Sequence, residues 1–165
     1  MHLPLPLHLA THFLLAILSG YLAGKHFKNL KLGIFVGFCG GFLIDFDHVL
    51  EYFLVFGPHF NLLYFSQGRE FLVSDQLHLW FHAWEYIPVL IIIGLLFKKK
   101  TTLKTIFITL AFAISIHLAT DMIVNQCSFS FYTLTYRAEH NFSARELMSP
   151  ESYQENQKLK FELGM

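Results

Sequence analysis

Ten side chains able to donate to a metal ion fall at four places in this apolar chain: His8 and His12, then Asp45, Asp47 and His48, then His78, His82 and Glu85, then His117 and Asp121. Imidazole nitrogen and carboxylate oxygen are the ordinary donors to Zn²⁺, and the same mixture suits Mn²⁺ or Fe²⁺. His8 and His12, His78 and His82, and His117 and Asp121 are each four residues apart, and Asp45 and His48 three, so each pair lies on one face if the segment is helical. The ligand set expected from this spacing is His8, His12, Asp45, His48, His78, His82, His117 and Asp121, enough for two ions and for carboxylates that orient imidazoles. Glu85, one turn beyond His82, is a candidate general base or further ligand, with the bland alternative of a hydrogen bond to a neighbouring helix. Asp47, the other candidate catalytic group, points away from Asp45 on an ideal helix, so it either stands behind the ligands and orients them or reaches an ion only where the helix unwinds. Zn²⁺ is the first expectation. Bound to such donors it lowers the pKa of water from about 15.7 to about 7, which is hydrolytic chemistry.

These residues sit in a chain built for lipid. Of 165 residues 54% are hydrophobic and 17% aromatic, with mean hydropathy +0.45, which points to a single all-α membrane domain. Twelve basic and twelve acidic residues cancel, and no basic stripe offers a footprint for nucleic acid. Cys39 and Cys127 have neither disulfide-framework nor zinc-ribbon spacing. Met1 to Phe13 holds no Lys or Arg, unlike the charged start of a cleavable signal, so the first apolar segment is expected to stay.

Four helical spans are predicted, at about 7–24, 32–48, 77–97 and 103–124. The uncharged run Leu32 to Ile44 is too short for a hydrocarbon core of roughly 30 Å, and so is Tyr86 to Phe97. Their polar ends must therefore be drawn below the headgroups, where ionisable groups face the bundle interior and need a partner or an ion. Lys25, Lys28 and Lys31 follow the first span and Lys98, Lys99, Lys100 and Lys104 follow the third, which puts both turns in the cytoplasm. The N-terminus, the connection 49–76, the tail 125–165 and the ligand layer then lie on the outer side of the cell (inner) membrane. The aromatic connection reads as short interfacial helices, either anchors or a lid for lipid entry. Ser128 to Tyr136 is β-prone, and the tail is given a capping or interfacial role. Pro88 is expected to kink the third helix. Arg69, Arg137 and Arg145 either snorkel or reach a phosphate. Gly20, Gly24, Gly33, Gly37 and Gly41 have small-xxx-small spacing, which serves packing within the chain or dimerisation; the oligomeric state stays open.

The order of an early histidine, a D-x-D-H element, an H-x-x-x-H element and an H-x-x-x-D element resembles the YdjM-like membrane-bound metal-dependent hydrolases, which are similar to zinc-dependent phospholipases C. The resemblance covers about residues 7–124. It implies a metal site made by His8 or His12, by Asp45, Asp47 and His48, by His78 and His82, and by His117 and Asp121. It also implies metal-dependent hydrolysis, and a site submerged at the outer leaflet would meet lipid head groups, so a membrane lipid or lipid-linked phosphoester at the outer face is the expected substrate. Two other classes fit parts of the pattern: a metal or proton transporter, and a bis-His haem protein.

Overall fold

The computed structural model describes residues 4–98 and 101–165; Lys99, Lys100 and His2 lie outside them. The described residues are all-helical, with no strand and a single isolated bridge, Gln76 to Ser143. In chain order the helices are α1 (Leu5–His26), α2 (Leu30–Gly41), α3 (Phe46–Phe56), α4 (Leu62–Ser66), α5 (Arg69–Ser74), α6 (Tyr86–Leu96), α7 (Thr101–Asn125), α8 (Leu134–Glu139), α9 (Ala144–Leu147) and α10 (Pro150–Glu162), with short 3₁₀ turns at Leu43–Asp45 and Ser130–Tyr132. They divide into two compact units. The first comprises residues 1–44 and 82–127, the second residues 45–81 and 128–165.

Three helical runs are long and apolar enough to cross a bilayer: Leu5–His26, Leu30–Phe56 and Thr101–Asn125. At 1.5 Å per residue α1 is about 33 Å long, enough for the hydrocarbon core, whereas α6 is about 16 Å and is not. The first unit is apolar on its outside and small or polar within. On α1 the exposed side chains include Leu14, Leu18 and Leu22, whereas His12, Ala16, Ser19, Gly20, Ala23 and Gly24 are buried. On α7 the buried stripe recurs every fourth residue, Thr105, Thr109, Ala113, His117 and Asp121, while Ile123 is exposed. A helix in water shows the opposite arrangement. Here the large side chains face outward, the arrangement that suits a lipid surrounding, and small ones let backbones approach.

The glycines make that approach. A Cβ added at Gly20 would stand 2.5 Å from the Gly33 carbonyl oxygen, and one at Gly37 would collide with the backbone of Gly20. Gly24 and Gly33 are opposed in the same way. The small-residue spacing is therefore taken up by α1 against α2 inside one chain. Helix α7 packs on α1, α2 and α6, completing the unit.

The third predicted helix is corrected. Residues 77–85 are irregular, and helix begins only at Tyr86. Asp75, in the left-handed region at φ 55°, stops α5, and Leu79 at φ 44° continues the break. The backbone groups of this stretch are taken by side chains instead of a helical ladder: Phe81 N–H donates to Asp47 Oδ2 at 2.9 Å, and Leu79 O accepts from Arg137 Nη2 at 2.9 Å. Pro88 is the third residue of α6, where a missing N–H costs no intrahelical bond, so it marks a helix start and not a kink. The second predicted helix, at 32–48, is broken after Gly41 and resumes as α3 to Phe56, which absorbs the first part of the expected connection.

In the second unit α5 packs on α3, α4 and α10. Tyr52 is buried among Phe53, Phe56, Phe60 and Phe65, and its hydroxyl accepts from Asn61 N–H at 3.0 Å. The segment Ser128 to Tyr136 is a 3₁₀ turn followed by helix, not strand; Ser128 Oγ accepts from Phe131 N–H and Ser130 O from Thr133 N–H, bonds that close turns.

Candidate metal centre

Five of the expected residues meet in the first unit. His8 and His12 come from the first turns of α1, His117 and Asp121 from the last turns of α7, and His82 from the irregular segment before α6. His12, His82 and His117 are each 1% exposed and Asp121 3%, so three imidazoles and one carboxylate are buried, with His8 partly exposed beside them.

Each oxygen of Asp121 faces its own pair of histidines. Oδ1 lies 3.0 Å from His12 Nε2 and 3.5 Å from His8 Nε2. Oδ2 lies 3.1 Å from His117 Nε2 and 3.5 Å from His82 Nε2. Within the pairs the Nε2 atoms are 2.9 Å apart for His8 and His12 and 3.0 Å apart for His82 and His117. The His12 and His117 rings, centroids 4.0 Å apart, join the two halves. The helical i, i+4 spacing delivers both halves of this geometry, since it puts His8 over His12 and His117 over Asp121. Ligand atoms of His8, His12 and Asp121 lie within 4.8 Å of one another, and such a group can hold a metal ion.

One further contact was not legible in the sequence: His117 Nδ1 lies 3.0 Å from the carbonyl oxygen of Gly41, at the end of α2. A carbonyl only accepts, so Nδ1 donates to it and Nε2 is the nitrogen that faces Asp121. Glu85, the candidate base, is half-buried at the N-cap position of α6 in the same unit.

The other expected residues belong to the second unit. Asp45 Oδ1 and His48 Nε2 are 4.0 Å apart, as the three-residue spacing implies. Asp47 is fully buried and accepts from Phe81 N–H, which gives it a backbone-holding part beside the catalytic one expected of it. His78, which the i, i+4 reading paired with His82 on one helix, shares no helical face with it; its Nδ1 lies 2.7 Å from Glu51 Oε1.

Sequence reasoning missed Glu51 and Glu70, each 1% exposed, because it treated the connection as interfacial aromatics. The signal was the i, i+4 spacing of Asp47 and Glu51. Burial pushes the Glu70 carboxyl up to about 7, the charge of Glu51 adds to this, and a backbone hydrogen bond opposes it. Arg137 neither snorkels nor reaches for phosphate: it is fully buried, donating to Leu79 O and to Phe131 O. Arg69 stacks over the Tyr64 ring, 4.1 Å from its centroid.

No protein-family model, no curated protein and no solved structure matches this chain.

Proposed function

We propose that the protein is a membrane-embedded, metal-dependent hydrolase of a lipid or lipid-linked phosphoester, with Zn²⁺ as the first choice of ion. One observation carries the reading. With its Nδ1 proton on Gly41, His117 turns Nε2 to a carboxylate oxygen 3.1 Å away, and four imidazole nitrogens gathered round the one carboxylate of Asp121 are a donor set that suits a divalent ion. A divalent ion on each side of Asp121, one with His8 and His12 and one with His82 and His117, satisfies every donor in the cluster. Such ions supply Lewis acidity and hydroxide at neutral pH. Glu85 is the proposed proton acceptor from the same unit.

The resemblance to YdjM-like hydrolases supports the same reading, as does the lysine asymmetry, which favours an outer-face site with α6 and the segment before it making a fourth crossing. The ligand role expected of Asp45, His48 and His78 and the catalytic role expected of Asp47 remain part of this proposal as properties of the second unit. A transporter would continue its donors along the bundle. Below His117 the buried stripe of α7 instead runs through Ala113, Thr109 and Thr105, the last bonded back to Thr101 O at 2.8 Å.

The test is phosphoester cleavage by the purified protein on phospholipid in mixed micelles, with Zn²⁺ supplied. Release of phosphorylated head group or of inorganic phosphate is expected, abolished by a chelator and by His82→Ala. A protein carrying its ions that cleaves no lipid overturns the enzymatic reading.

A further inference from the structure

Away from the histidines, the hairpin of α1 and α2 carries an open groove of about 430 Å³, lined by Ile17 of α1 and by Lys31, Ile34, Phe35 and Phe38 of α2. Pockets that hold small ligands run to about 300–1,000 Å³. All the lining side chains but Lys31 are hydrocarbon, and Phe35 is 65% exposed, so the wall is open to whatever surrounds the helices. The seam beside the groove is backbone against backbone: an added Cβ at Gly20 would stand 2.8 Å from Ile34 Cα. That close approach leaves the bulky side chains to flank the contact.

The two ends of the groove differ in chemistry. Toward His12 stand aromatic rings: Phe38 stacks on Phe42, with centroids 5.3 Å apart, and meets Phe13 edge-on at 6.2 Å. At the other end is Lys31, exposed, next to the turn that carries Lys25 and Lys28. Tyr21, 42% exposed, lies one turn after Ile17 and one before Lys25, and tyrosine is a residue type enriched at headgroup depth. Residues 1–44 hold these three lysines and no Asp or Glu. Asp121, a carboxylate of the same unit, stands against His8 at the opposite end of α1. An apolar trough thus ends in positive charge that its own hairpin does not neutralise.

We propose that the groove holds one acyl chain of an anionic phospholipid, with the phosphate against Lys31 and the chain lying along Ile34 and Ile17 toward Phe38. Hydrocarbon and a fixed cation are the two chemistries the lining offers, and anionic head groups are drawn to lysines placed beside a membrane-spanning helix. A second copy of this chain is a poorer occupant. Side by side in one direction, two hairpins would bring their lysines together with no carboxylate of either hairpin between them. The site is separate from the Asp121 cluster, so neither ion binding nor lipid cleavage there bears on it.

The experiment counts lipid retained by the full chain in detergent micelles, by native mass spectrometry, after titration with phosphatidylglycerol or with phosphatidylcholine of the same acyl chains. One phosphatidylglycerol per chain is expected to persist, with phosphatidylcholine held more weakly. Lys31→Gln should weaken retention of phosphatidylglycerol roughly five-fold and leave phosphatidylcholine unchanged. Ile17→Trp, which fills the groove, should weaken both. Lys104→Gln removes a lysine that does not line the groove and should change neither. Equal retention of the two lipids by the wild type, which needs no variant to fold, overturns the proposal. So does a loss in Lys104→Gln equal to that in Lys31→Gln, which would make the effect one of surface charge alone. A wild-type dimer that gives up its partner as lipid binds would assign the groove to a second copy and overturn it as well.

Discussion

His117 is tied to Gly41 through a 3.0 Å hydrogen bond that spans 76 positions of sequence, from the last turns of α7 to the last residue of α2. That bond decides which nitrogen of His117 faces Asp121. It also joins packing to chemistry, because Gly41 is where α2 comes against Ala16 of α1: an added Cβ would stand 2.9 Å from both Cα and Cβ of Ala16.

Gly41→Leu should therefore move the carbonyl as well as the helix. Overpacking of this kind costs typically 1–3 kcal/mol. The expected outcome is a lower midpoint of thermal unfolding together with weaker Zn²⁺ retention. Unchanged Zn²⁺ retention in a folded Gly41→Leu protein would separate the bond from the site.

The α1–α2 contact makes a second prediction, since Gly33 and Gly37 face the backbones of Gly24 and Gly20. Even Gly37→Ala should destabilise by about 1–3 kcal/mol, because the obstructing atoms are backbone and cannot swing aside. Thermal unfolding in detergent measures this. A loss of dimer with unchanged monomer stability would show that the glycines face another chain.

How much of this was legible in the sequence depends on where each backbone found its hydrogen bonds. Helices α1 and α7 satisfy their own, so periodicity revealed them, and i, i+4 spacing was enough to bring His8 to His12 and His117 to Asp121. Residues 77–85 carry the same spacing in His78 and His82, but their backbone is held by Asp47 and Arg137, which are 34 and 58 positions from the groups they hold. No local pattern reports such partners. The Gly41 carbonyl was invisible for the same reason, as a backbone atom has no residue type. Glu51 was readable and was passed over, since aromatic content drew the connection toward an interfacial reading.

Arg137 is the test of that long-range control. Arg137→Ala leaves the Leu79 and Phe131 carbonyls without it in a buried setting, at a cost of about 1–3 kcal/mol for each acceptor left unsatisfied. Arg137→Lys should not restore stability, because one ammonium lacks the guanidinium's fork of donors. Chemical unfolding of the two variants beside wild type checks it, and full recovery by lysine would contradict the assigned role.

Glu70 sets a pH dependence with a definite sign. Its carboxyl rises from an ordinary 4.5 to about 7 on folding, so between those values the folded chain binds more protons than the unfolded one. The stability it contributes is fully present below pH 4.5 and is lost as pH rises through about 7. Glu70→Gln should flatten the stability profile of the protein over that window. A profile as steep in Glu70→Gln as in wild type would assign the dependence elsewhere.

Ion binding at Asp121 is measured most directly as Zn²⁺ bound per chain at equilibrium in wild type and in the near-isosteric Asp121→Asn. Two ions per wild-type chain are expected at the histidine pairs, with affinity at least ten-fold weaker in the variant. A wild-type protein that retains no Zn²⁺, or an Asp121→Asn protein that binds it equally well, would contradict the metal centre.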